Sequence, residues 1–540
     1  MNGSFIFVLQ RNFAPVEEIG NTVEVDCLEG EIPADFPEGV YVRNGANPLH
    51  GGIKSTISVL GRSEHIWVEG EGMLHALYFT KTADNNWKLL YKNKFVESDT
   101  FKLERKMNKP GFLPAIEGDA LAILAGFVLN TLSFGIVNKI LSNTNVFEHA
   151  GKYYSVAENY LAQEINISGL ETLGNWDFGG AWGRPFTSRA SKGMLPTYFR
   201  KLFRFLQASI LQILILNYDI QKAPGSGELV ITGVDAVKQY YVVGVVSADG
   251  KRLNHKVDLN TSRSSIAHEV GVTEKLVKFE GEKYSRIGVM PRYGNADSVR
   301  WFEVGPNCTF HMFNCFEDGN EVVVRGCKAK TAIIPGPDWG QDKFEWFSRG
   351  FKLVSSSAKD DGDVPIADGL LFSRVYEQRL NLLTGEVKEI DLSGDDFSMD
   401  FPTINGEYIG VKQKYGYTQV IDSIANSSCG KSKYGGLTKL YFEELEAGEQ
   451  VWWPGKIMIC RKEQVQFGAI RLPRVSKPGA VEEDDGWIVA FVHDEDTDTS
   501  HVLVVDAKNF EEQSIAKIAL PQRVPYGHHH GAYFRTPTHL

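Results

Sequence analysis

Three histidines stand far apart in this chain of 540 residues, and each lies in a distinctive local sequence. His268 is in Ala-His-Glu-Val-Gly-Val, His311 in Cys-Thr-Phe-His-Met-Phe, and His530 closes Val-Pro-Tyr-Gly-His-His-His just before Gly531. Imidazole suits zinc, iron, copper or nickel. Ligands this distant share one metal only where many chain segments converge on a common axis. Close-spaced alternatives such as HExxH or paired cysteines are absent. A histidine taken singly is more often a satisfied core or surface residue than a ligand, so the flanks have to shift the balance. His268 and His311 lie in or beside strand-like segments, and His530 follows a Pro-Tyr-Gly turn, as inner strands around an axis would require.

Most of the chain reads as short strands. Glu228–Val234, Tyr240–Val246, Ser298–Val304 and Glu321–Val324 carry the β-branched and aromatic content. Leu370–Leu392 reads as a hairpin turning at Leu383-Thr384-Gly385-Glu386, and Gly486–His493 with His501–Asp506 as another. No alternating strand–helix pattern and no aligned repeat is visible. A single sandwich is too small for this many strands. A propeller of divergent blades accommodates them and supplies the axis.

The charge balance of 57 Lys+Arg against 68 Asp+Glu, with no basic run, argues against a nucleic-acid partner. Six cysteines without a regular framework fit a reducing compartment. Residues Met1–Leu9 lack a basic region, a cleavage site and a transit-like composition, so a cytoplasmic location is expected; a plastid is the alternative should a transit segment precede them. Leu121–Val137 is apolar, short for a membrane span and interrupted by Asn130, Thr131 and Ser133. It reads as a core helix or as one dipping into a membrane surface, and so does Phe199–Leu216, with Arg200, Lys201 and Arg204 in its first half. The helices from about 110 to 141 are expected to form an inserted cap on one domain spanning 1–540.

Several stretches in order make the chain resemble a plant carotenoid cleavage dioxygenase. They include Glu31-Ile32-Pro33-Ala34-Asp35-Phe36-Pro37-Glu38-Gly39, Glu71-Gly72-Met73-Leu74-His75, Arg286-Ile287-Gly288-Val289-Met290-Pro291-Arg292, Glu482-Glu483-Asp484-Asp485-Gly486-Trp487 and Arg523-Val524-Pro525-Tyr526-Gly527. The resemblance implies an all-β, seven-bladed β-propeller with a helical dome over an axial ferrous iron, Fe(2+). Four histidines would hold the iron, and glutamates would orient most of them. Dioxygen would be added across a polyene double bond of a carotenoid or apocarotenoid, leaving two carbonyl products, with the 9,10(9′,10′) bonds suggested by the commonest plant group. By matching motifs, His268, His311 and His530 would be iron ligands, although His529 is an alternative to His530 because the chain has two residues, His528-His529, where the family has one. Glu158 and Glu377 would be orienting glutamates; without the resemblance, a strand face with Arg374 or Arg379 nearby reads equally well. A third glutamate of many members is matched by Gly468.

The chain departs from the family upstream. Where the family has Phe-Thr-Ser/Ala-His-Pro-Lys, whose histidine is the first ligand, this chain has Phe186-Thr187-Ser188-Arg189-Ala190-Ser191-Lys192, and an atypical insertion runs over about 189–221. No histidine lies between His149 and His255, and neither of those has the ligand's context. Three imidazoles still bind divalent iron, with water, Ser188 or Ser191 in the fourth position. Two functions therefore stand side by side: an iron dioxygenase, or an impaired paralogue or splice product that binds apocarotenoids or partners without cleaving them.

Overall fold

The computed structural model of the protein describes residues 12, 14–50, 70–113, 120–157, 160–182, 221–235, 240–260, 270–272, 275–280, 285–305, 307–330, 350, 369–394, 396–421, 433–442, 457–458, 465–467, 473–511, 513–526 and 531–535. The described residues are overwhelmingly antiparallel strands, with two α-helices, α1 (Asp99–Met107) and α2 (Ala120–Phe134). The strands form an all-β propeller.

Alternation of side chains shapes the outer strands. In Trp87–Phe95, Leu89, Tyr91, Asn93 and Phe95 are buried, while Leu90, Lys92 and Lys94 between them are partly exposed. Inner strands such as Gly39–Asn47 are buried along their whole length, because both faces are covered. The expected hairpins are present as Arg374–Asn381 with Val387–Asp391, and as Gly486–Asp494 with Thr499–Asp506. The first of these turns where expected. Asn381 Oδ1 accepts the Leu383 and Thr384 amides, and Gly385 supplies the positive φ of 84° that its neighbours would adopt only with strain.

The two ends of the chain meet in shared sheets. Gly39–Asn47 pairs with both Glu71–Lys81 and the C-terminal strand Gly531–Arg535, and Cys27–Gly30 pairs with Ala516–Ala519. Pairing early strands with late ones closes the ring. The closure is tight at Gly531, where an added Cβ would lie 2.8 Å from the Tyr41 ring.

Seven separate blades were implied; among the described residues the strands form six sheets. The difference arises at Val465–Phe467. That short strand pairs with Gly486–Asp494 on one side, while Phe467 pairs with Tyr434 on the other, fusing two groups of strands into one ten-stranded sheet. The Glu482–Trp487 motif binds the same two groups together. Glu483 accepts the Lys414 and Tyr415 amides at 2.8 and 3.0 Å, Asn405 donates to the Glu483 carbonyl, and buried Lys439 pairs with Asp484 at 2.7 Å. The motif is thus explained by packing.

The cap region is only partly helical. Of 110–141, residues 120–134 form α2 and the chain from Gly135 onward is irregular. Asn130, the polar interruption of this apolar stretch, is buried and works as a clasp: its amide exchanges hydrogen bonds with Leu113 and donates to the Val137 carbonyl at 2.9 Å. Helix α1 begins with Ser98 accepting the Phe101 amide and ends at Asn108 in the left-handed conformation. No helix among the described residues is long and apolar enough to cross a membrane.

Candidate metal centre

His311 lies on the Cys308–Asp318 strand, opposite Cys327, where the ladder is irregular on both sides of His311–Met312. It is buried, and Nδ1 lies 2.7 Å from Oδ1 of Asp400, itself buried on the Met399–Thr403 strand. A carboxylate acceptor selects the tautomer protonated on Nδ1, which places the lone pair on Nε2 and makes that nitrogen the ligating one. The same Asp400 oxygen accepts the Phe401 amide at 2.8 Å, and Thr418 Oγ1 donates to the Asp400 carbonyl at 2.5 Å. The Phe401 ring packs 4.3 Å from the imidazole, centroid to centroid. Burial first, and the nearby Asp400 charge second, push the Cys308 thiol up to about 12, so this sulfur is protonated at neutral pH.

Glu377 has other partners. Both of its oxygens go to guanidinium groups, with Arg325 Nε at 2.7 Å and Arg379 Nη1 at 3.0 Å. The cause is cross-strand register: Glu377 is directly opposite Arg325. Arg325 is buried and also donates to the Gln413 carbonyl, while Arg379 reaches Asp318 and Glu321. Among the described residues Glu377 is held by an arginine network, and the acid beside His311 is Asp400. The available sequence signal was a lone acid set between apolar residues in Met399-Asp400-Phe401-Pro402.

His268, His529, His530, Glu158, Ser188, Arg189, Ser191 and Gly468 lie outside the described residues, as does the inserted segment up to Ile220. Among the described residues no three His, Cys, Asp or Glu side chains gather into a metal-binding group. The donor that is described fits a divalent metal, since a buried imidazole pinned through Nδ1 by a carboxylate is the usual form of a metal-bound histidine. The two histidines that flank the expected first-ligand position in sequence contact backbone carbonyls. His149 Nε2 contacts the Ser247 carbonyl and His255 Nε2 the Gly294 carbonyl, each at 2.9 Å.

Comparison with known proteins agrees with this architecture. The family model described as retinal pigment epithelial membrane protein matches residues 13–277 and 274–535. The carotenoid 9,10(9′,10′)-cleavage dioxygenase 1 of Pisum sativum is 29% identical, with 98% of this chain and 90% of that protein covered. The Arabidopsis thaliana enzyme of the same name is 27% identical, with 96% and 88% covered. Among solved structures, the lignostilbene dioxygenase of Pseudomonas brassicacearum superposes with a TM-score of 0.70 at 20% identity, covering 97% of each chain. A Synechocystis apocarotenoid oxygenase does so with 0.71 at 17%, covering 97% and 98%. A family match over nearly the whole length places this propeller among the carotenoid oxygenases, the family of the retinal pigment epithelial membrane protein.

Proposed function

We propose that the chain is a non-haem iron(II) dioxygenase that cleaves a double bond of a carotenoid or apocarotenoid. The observation that carries this reading is the buried His311–Asp400 pair, a histidine prepared for metal in a chain whose curated relatives are carotenoid cleavage dioxygenases. A cobalt-substituted form of the Synechocystis neighbour supports a metal in this fold. His311, His268 and His530 would hold the iron, which when bound supplies the redox chemistry that activates dioxygen. Asp400, accepting from Nδ1, fixes the tautomer of the His311 imidazole. In the overall reaction one C=C bond and the O–O bond break, and each carbon leaves as a carbonyl.

The test uses the purified full chain loaded with ferrous iron without air, then given an apocarotenoid with or without dioxygen. Carbonyl products should form only with dioxygen, and His311→Ala should lower iron retention by about tenfold or more. Unchanged retention and turnover in His311→Ala would sink the reading. The second reading, a binder without cleavage, is favoured by Arg189 standing where the first histidine is expected. It predicts saturable apocarotenoid binding with no product under air.

The substrate class also gives α2 a task. The helix has no acidic residue in its first turn and no basic residue in its last. Val128, Leu129 and Leu132, on one face, are 40%, 49% and 68% exposed. This face suits shallow contact with a lipid surface in which such polyenes dissolve. Leu129→Glu combined with Leu132→Glu is expected to reduce cosedimentation with phosphatidylcholine vesicles severalfold; equal cosedimentation would remove the proposal.

A further inference from the structure

We propose that Phe401 is the positioning residue for His311, acting through a strained turn of its backbone and through its ring. The inference rests on His311 being a metal ligand. Its main readout is nonetheless the imidazole itself, in protein without metal.

Phe401 has φ of +56°, a conformation a bulky side chain adopts only when its surroundings impose it. Pro402 follows, and a residue before proline prefers an extended backbone, so the strain opposes two preferences at once. The ladder breaks at this point. Asp400 is paired with Gln419 and Thr403 with Tyr417, and the register shifts between these two pairs, at Phe401 and Pro402. Proline has no N–H to offer a ladder. The Phe401 N–H, turned away from the ladder by the positive φ, donates instead to Asp400 Oδ1 at 2.8 Å. That oxygen is the one on which His311 Nδ1 rests at 2.7 Å.

A carboxylate held by the next residue's amide has little rotational freedom. The hydroxyl of Thr418, bonded to the Asp400 carbonyl, holds the preceding peptide as well. The hydrogen bond sets which imidazole nitrogen carries the proton. The Phe401 ring, inclined at 37° to the imidazole, limits its tilt, and is itself held edge-on by Tyr434 at 5.4 Å. One residue thus constrains His311 from its edge and from its face.

The experiment labels histidine side-chain nitrogens in the metal-free full chain and identifies His311 by subtracting the spectrum of His311→Ala. In the natural chain His311 should appear as one tautomer, protonated on Nδ1. Phe401→Leu and Phe401→Gly should mix the two tautomers, whereas Phe401→Tyr, which keeps the ring and the backbone strain, should preserve the single form. Ile421→Ala, in the same apolar cluster, serves as the control for lost packing and should lower the melting temperature without mixing tautomers. Cobalt(II) affinity measured by chelator competition should fall by about tenfold in Phe401→Leu. A single tautomer retained in both Phe401→Leu and Phe401→Gly overturns the proposal. Failure of the natural chain to take cobalt would instead refute the metal reading, with the tautomer measurement still deciding the role of Phe401.

Discussion

Lys139→Met is expected to lower stability by about 3–5 kcal/mol at neutral pH, because it strands two buried carboxylates. Lys139 follows α2 and is ion-paired with Glu71, at the start of the Glu71–Lys81 strand, and with Glu104 of α1 at 2.5 Å. Both acids are nearly inaccessible. Glu71 also accepts the Leu49 amide, and Glu104 accepts those of Gly111 and Phe112, so the lysine joins the helical segment to the first sheet. Burial alone would pull the Lys139 ammonium down, but the charges of Glu71 and Glu104 outweigh it and hold it above its usual range. Burial alone would likewise raise Glu104, yet Lys139 and the two amides keep it below the usual carboxylate range.

The sign of the pH dependence follows. In the natural protein the depressed Glu104 contributes stability above its unfolded pKa, which is lost as pH falls through the lower folded value. Without the lysine the buried acids should become hard to ionise, so the variant gains relative stability as they take up protons. Urea midpoints for both proteins at pH 7.5 and 5.5 check this. A deficit under about 1 kcal/mol at neutral pH, or one that widens on acidification, would contradict it.

The strands were legible because their signals are local. Turns such as Leu383-Thr384-Gly385 and the alternation in Trp87–Phe95 need no knowledge of the partner strand. Fusion of two strand groups into one sheet was not, since it depends on the single pairing of Phe467 with Tyr434. The candidate site shows the same division. His311 stands out in Cys-Thr-Phe-His, but its acid lies 89 residues away and is selected by how two strands pack. Glu377 shows the same limit: the register that places it against Arg325 leaves no mark on the local pattern.

Arg189→His is expected to have the largest effect on metal binding, and should act in the direction of gain. In the resemblance to the carotenoid oxygenases, the first ligand falls where this chain has Phe186-Thr187-Ser188-Arg189. A guanidinium keeps its proton at any working pH and has no lone pair for a metal, so Arg189 would repel a divalent cation. A neutral imidazole there would replace that repulsion with a bond. The change is made alone and together with Ala190→Pro and removal of residues 193–221, since the inserted apolar segment could keep a new histidine from the axis. Iron retention after gel filtration should rise about tenfold or more in at least one form, and dioxygen-dependent product should rise with it. His311→Ala in the same background should abolish both gains, because a ligand adds affinity only where its partners hold the metal. If neither form gains iron or turnover while both remain folded, Arg189 does not occupy a ligand position.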